Sequence, residues 1–192
     1  MVKEKIFVIG ANKTGTTSMT KALNILGYNL CPEDIMFTKN SKYLTEALKN
    51  NYTPLFELVK KYDAFEDRPW NHTDFYKTLN EKFPSSKFIM TIRDTKNWID
   101  SYLRWNKKIK LRDHWIYPLV SKVCYGNEDF LSDLENMEKK YEDRNKEIIE
   151  YFKDSNNLLI IDLEKNEGWE KLCNFLNIKV PNKEFPHENK TK

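Results

Sequence analysis

FVIGANKTGTTSM, residues 7–19, reads as a strand, a tight loop and the start of a helix. The apolar run ends at Gly10, a second glycine follows at Gly15, and Thr16, Thr17 and Ser18 open a segment with helical spacing. That order aims several backbone N–H groups and the positive end of a helix dipole at one point, where an anion belongs. A nucleoside-triphosphate loop, G-x-x-x-x-G-K-[ST], has the same outline, but its lysine directly follows the second glycine. Here that position is Thr16, and the nearest lysine is Lys13 on the crest of the loop. Without the Lys-Ser/Thr pair that reaches the outer phosphates and holds Mg²⁺, the loop suits one phosphate, a different leaving bond and no metal. Thr14, Thr16, Thr17 and Ser18 add hydroxyl donors. Asp94 and Asp162 are the strand-end carboxylates open to a metal, and either can instead cap a turn.

Working outward, KIFVIG (5–10), KFIMTIR (87–93) and NLLIIDL (157–163) are short apolar runs of the kind found in strands covered on both faces. DAFED (63–67) is a weaker fourth strand. Helical spacing predicts helices over 16–27, 41–50, 55–62, 72–83, 95–108 and 168–177. A long amphipathic helix is expected over 128–153, with Phe130, Leu134, Met137, Tyr141, Ile148 and Phe152 on one stripe. This alternation predicts an α/β fold: a three-layer sandwich with a central, mostly parallel sheet and a P-loop-like strand-loop-helix. With 192 residues and neither repeats nor a linker, one domain over 1–192 is expected.

The loop core KTGTTS, Lys13 to Ser18, resembles the 5′-phosphosulfate loop of sulfotransferases that use 3′-phosphoadenosine 5′-phosphosulfate (PAPS). Further along, FIMTIRDTKNWIDSYLRW (88–105) resembles that family's 3′-phosphate motif, an arginine closing a strand and a serine on the next helix. Arg93 and Ser101 stand eight positions apart (101 minus 93), as in the family pattern. The Asp-x-Pro turn at Asp67–Pro69 and the terminal FPHEN (185–189) extend the resemblance over nearly the whole chain.

The resemblance implies an enzyme that moves a sulfuryl group from PAPS to a hydroxyl or amine of a small-molecule or carbohydrate acceptor. Lys13 would contact the oxygen bridging phosphate and sulfate. Thr14, Gly15, Thr16, Thr17 and Ser18 would surround the 5′-phosphosulfate, and Arg93 and Ser101 the 3′-phosphate. The acceptor needs a general base, which the family draws from between the two motifs. Asp67 is the expected choice with Glu66 beside it, then His72, and behind them Glu33 and Asp34. Arg68, Trp70, Trp98 and Trp105 suit either an acceptor or adenine pocket or ordinary packing. The family's Arg-Lys-Gly run is missing from the tail, where Asn189 and Lys190 take its place by analogy. A P-loop nucleotide kinase or hydrolase, and an inactive nucleotide-binding module of the same fold, stay open as alternatives.

A net charge of +3 is too small for a nucleic-acid binder and permits attraction of an anionic small molecule. Three scattered cysteines, Cys31, Cys124 and Cys173, suit neither a disulfide framework nor a metal site. No run reaches the roughly 18 apolar residues of a membrane span. The opening MVKEKIFVIG has neither a signal-length apolar stretch nor a myristoylation glycine, so a cytoplasmic protein without a membrane partner is expected. Oligomeric state and acceptor identity are not encoded in any motif.

Overall fold

Strands rich in branched and aromatic residues need cover on both faces, and the amphipathic segments between them provide it. The computed structural model describes residues 4–36, 41–66, 68–72, 74–112 and 134–188. In chain order the elements are β1 (Ile6–Val8), α1 (Thr16–Ile25), α2 (Lys42–Leu48), α3 (Thr53–Val59), β2 (Ala64–Glu66) and α4 (Phe75–Lys82). Then come β3 (Lys87–Ile92), α5 (Thr95–Arg112), α6 (Leu134–Tyr151), β4 (Leu158–Asp162), a 3-10 turn (Leu163–Lys165) and α7 (Trp169–Leu176). The weak strand signal at DAFED is β2. The helix expected from residue 72 starts only at Phe75, because His72 N–H donates to Pro69 O (2.9 Å) and Phe75 N–H to His72 O (3.2 Å), which keeps the chain in turns. The part of the long helix before Leu134, including Phe130, lies outside the described residues.

The sheet is fully parallel in the order β2-β1-β3-β4. Alternate strand residues face opposite layers. Phe7, Phe65, Phe88 and Met90 pack with residues of α2, α3, α4 and α6, including Ala47, Leu55, Leu79 and Ile148. Ile6, Val8, Ala64, Ile89 and Ile161 pack with Met19, Leu23, Leu172 and Leu176 of α1 and α7. This is a helix-sheet-helix sandwich, and Phe7 is central to one side of it, stacked on Phe65 at 5.0 Å and on Phe88 at 5.5 Å between ring centroids. Met137, Tyr141, Ile148 and Phe152 are all buried, as their common stripe requires.

From β1 the chain goes to one side for β2, then crosses back over β1 to β3. The strand order therefore reverses between β1 and β3. In open parallel sheets the crevice at the carboxyl ends of such a pair is where ligands bind. Both sequence motifs follow those two strands.

Candidate active site

The loop after β1 is shaped by two glycines for two different reasons. Gly10 lies so close to β3 that a Cβ there would sit 2.1 Å from Thr91 Oγ1 and 2.7 Å from Thr91 O. Gly15 precedes α1 at φ 100°, a left-handed conformation that glycine adopts without strain. Its open side is filled by Leu163, whose Cδ1 would lie 2.7 Å from a Cβ. Between them Lys13 is also left-handed, at φ 72°.

Three successive loop carbonyls are turned into the protein. Ala11 O accepts from the Thr14 hydroxyl at 2.6 Å and the Thr14 N–H at 3.3 Å. Asn12 O accepts from Trp98 Nε1 at 2.9 Å, and Lys13 O from Arg93 Nη1 at 3.3 Å. A planar trans peptide points the next N–H away from each carbonyl, and the N–H after Lys13 O, that of Thr14, closes the turn back onto Ala11 O. Among the described residues, the N–H groups of Gly15, Thr16, Thr17 and Ser18 have no backbone carbonyl partner, as expected for the first turn of a helix. Further ties hold the loop from below: Asn71 Nδ2 donates to Asn12 Oδ1 at 3.4 Å, and Arg144 Nη2 donates to Ile9 O at 3.0 Å and to Asn71 O at 3.1 Å.

The second motif meets the first directly through Arg93 and Lys13 O. Tyr141 of α6 pins the arginine's backbone: its hydroxyl accepts from Arg93 N–H at 3.0 Å and donates to Arg93 O at 3.1 Å. Burial pushes the Tyr141 phenol up, so it keeps the proton it donates. The Arg93 guanidinium pairs with Glu164 of the 3-10 turn, whose other oxygen accepts from Asn97 Nδ2 at 3.2 Å. Arg93 Nε is buried with no acceptor among the described residues. Ser101 is buried on α5, about two turns beyond the arginine.

The expected phosphate hydroxyls divide into two kinds. Thr14 is turned inward, 2.6 Å from Thr91 Oγ1, and shapes the loop. Thr16 and Thr17 stand on the first turn of α1. Ser18 Oγ accepts from Glu188 N–H at 2.9 Å, which brings the tail onto α1, and Lys21 pairs with Glu188 at 2.7 Å. Asp94 and Asp162, the two possible metal carboxylates, both serve as caps, accepting from Asn97 N–H at 3.1 Å and Glu164 N–H at 3.0 Å.

Of the residues expected as base, Glu66 ends β2 in register with Val8, beside the start of the loop. Asp67, like the tail residues Asn189 and Lys190, lies outside the described residues. His72 follows Asn71, which is tied to the loop. Burial holds the His72 imidazole below its ordinary value; Asp74 opposes this and Arg144 adds to it. Trp70 and Trp98 belong to the packed interior. Trp105 is half-buried against that interior, and Lys13 Nζ lies 5.9 Å and Arg68 Cζ 5.7 Å from its ring centroid. Asn71, Arg144 and Glu164 join the two motifs although no motif announced them. No helix among the described residues is long and apolar enough to cross a membrane.

A family model described as "Sulfotransferase domain" matches residues 5–192. Among curated proteins, "Ava biosynthesis cluster protein M" of Aspergillus versicolor is 26% identical over 213 aligned positions, covering 95% of this chain and 80% of that protein.

Proposed function

The chain belongs to the sulfotransferase family, and from that premise we propose that it transfers a sulfuryl group from PAPS to a hydroxyl or amine of a small-molecule or carbohydrate acceptor, without a metal. The relative named for a biosynthesis cluster favours the small molecule. One observation carries the reading: Trp98 and Arg93 hold the loop carbonyls of Asn12 and Lys13, while the N–H groups of Gly15 to Ser18 have no backbone carbonyl partner among the described residues and remain for an anion.

The residues present fit the donor. Gly15 to Ser18 offer N–H groups to a 5′-phosphate, Thr16 and Thr17 add hydroxyls, and Ser18 still has its own proton to donate while it accepts from Glu188. Arg93, its buried Nε without an acceptor among the described residues, offers a planar fork to a 3′-phosphate, and Ser101 approaches from α5. When bound, PAPS supplies an activated sulfur–oxygen bond whose rupture leaves charge on the 5′-phosphate. In this reading Lys13 and the loop N–H groups would meet that charge as it grows, which is the condition for large transition-state stabilisation.

The acceptor proton goes to a base in segment 66–72. Glu66 qualifies by its position at the end of β2, with Asp67 next to it in sequence, and His72 by being held neutral through burial. The testing experiment is sulfuryl transfer from PAPS to an acceptor library by the protein and by Lys13→Ala. Expected is transfer by the native chain and a loss of about 10²–10³-fold in turnover in the variant, with much less effect on nucleotide affinity. Binding of adenosine 3′,5′-bisphosphate with no transfer to any acceptor favours an inactive binding module. Turnover of MgATP with none of PAPS overturns the reading.

A further inference from the structure

Arg93 already holds an anion. Its guanidinium pairs with the Glu164 carboxylate, and Asn97 Nδ2 secures the second carboxylate oxygen at 3.2 Å. Both donors belong to the segment read as the 3′-phosphate motif, and Glu164 comes from a separate element, the 3-10 turn after β4. That turn is anchored: Glu164 N–H is bound by Asp162 Oδ1 at 3.0 Å, and Leu163 packs against Gly15 of the loop. The carboxylate itself is not anchored, because the Glu164 side chain is 39% exposed and can turn into solvent without moving the backbone. Asp162 and Lys165 of its own turn pair with each other at 3.5 Å.

We propose that Glu164 is an internal competitor for Arg93, holding the arginine when no 3′-phosphate is present and retaking it as the spent nucleotide leaves. The idea rests on reading Arg93 as part of the donor site. A phosphate dianion brings more charge and more acceptor oxygens to a guanidinium than a carboxylate does, so it displaces Glu164. It must break the Glu164 contacts to do so, which lowers net affinity and speeds release. A carboxylate that merely positioned Arg93 would have the opposite effect, because its loss would weaken nucleotide binding. The sign of the change therefore separates the two roles.

The test compares adenosine 3′,5′-bisphosphate with adenosine 5′-phosphate on the native chain, on Glu164→Gln, and on Glu150→Gln, which removes a distant exposed carboxylate paired with Lys153. The native chain is expected to prefer the bisphosphate. Glu164→Gln should tighten bisphosphate binding about two- to fivefold, the scale of a partly exposed ion pair, and slow its dissociation by a similar factor. Affinity for the 5′-phosphate should stay unchanged, and Glu150→Gln should alter neither, which rules out a net-charge effect. An unchanged or smaller preference in Glu164→Gln overturns the competitor role and leaves the donor reading standing. A native chain with no preference between the two nucleotides overturns the donor reading, and this inference with it.

Discussion

Lys13 at φ 72° occupies a conformation that costs an ordinary side chain about 1–2 kcal/mol. The strain sets the ammonium on the loop crest, so stability and function should separate at this residue. Lys13→Gly is expected to be more stable than Lys13→Ala by about 1 kcal/mol in denaturant unfolding while both lack turnover; equal stabilities would show that the loop is not strained there. Gly10→Ala should destabilise by about 1–3 kcal/mol, because the new methyl meets Thr91 backbone as well as its side chain. Adding Thr91→Ala should not restore it; full rescue would mean that only the hydroxyl was in the way. The crest lysine was legible because its offset from the two glycines is a pattern of neighbours in sequence. Arg144 was not, because it is one cation among many on a charge-rich helix and its partners Ile9 O and Asn71 O are remote in the chain. Glu164 was hidden for the same reason.

At the scale of elements, α6 does more than pack. Its Tyr141 and Arg144 tie down the ends of β3 and β1 and the turn that carries His72. Tyr141→Phe removes two hydrogen bonds to Arg93 backbone and should lower stability by about 1–2 kcal/mol, with a rise in the donor's KM as the arginine loosens. His72 gives the pH signature of this region. Its folded value is depressed, so as pH falls through about 6.5 the unfolded chain protonates this ring before the folded chain does. Stability is then lost from that pH down to the lower folded value and levels off below it. Thermal melts from pH 8 to 5, run at about half-unit steps, should show this slope in the native chain and not in His72→Gln. Arg144→Met removes a contribution that holds the value down, so the window should narrow; an unchanged window would mean that Arg144 does not act on the ring. The helix itself could be read from its apolar stripe. Its polar face could not, because a single strand of text does not say which of many charges faces inward.

Across the whole molecule, the parallel sheet and its covering helices could be expected from three apolar runs and the helical spacing between them. The strand order could not, because it depends on which side each connection takes. That order, β2-β1-β3-β4, is what sets the two sequence motifs after adjacent strands. The two buried layers also allow a test of the expected single domain. Phe7→Ala on one face of the sheet and Ile161→Ala on the other should each cost about 2–5 kcal/mol and shift one common unfolding transition; two separate transitions would divide the chain. The clasp of Ser18 and Lys21 on Glu188 has a practical meaning for anyone handling the protein. Glu188 is thereby held against the first turns of α1, next to the loop. A small fluorophore attached at residue 188 would therefore report changes at the start of α1.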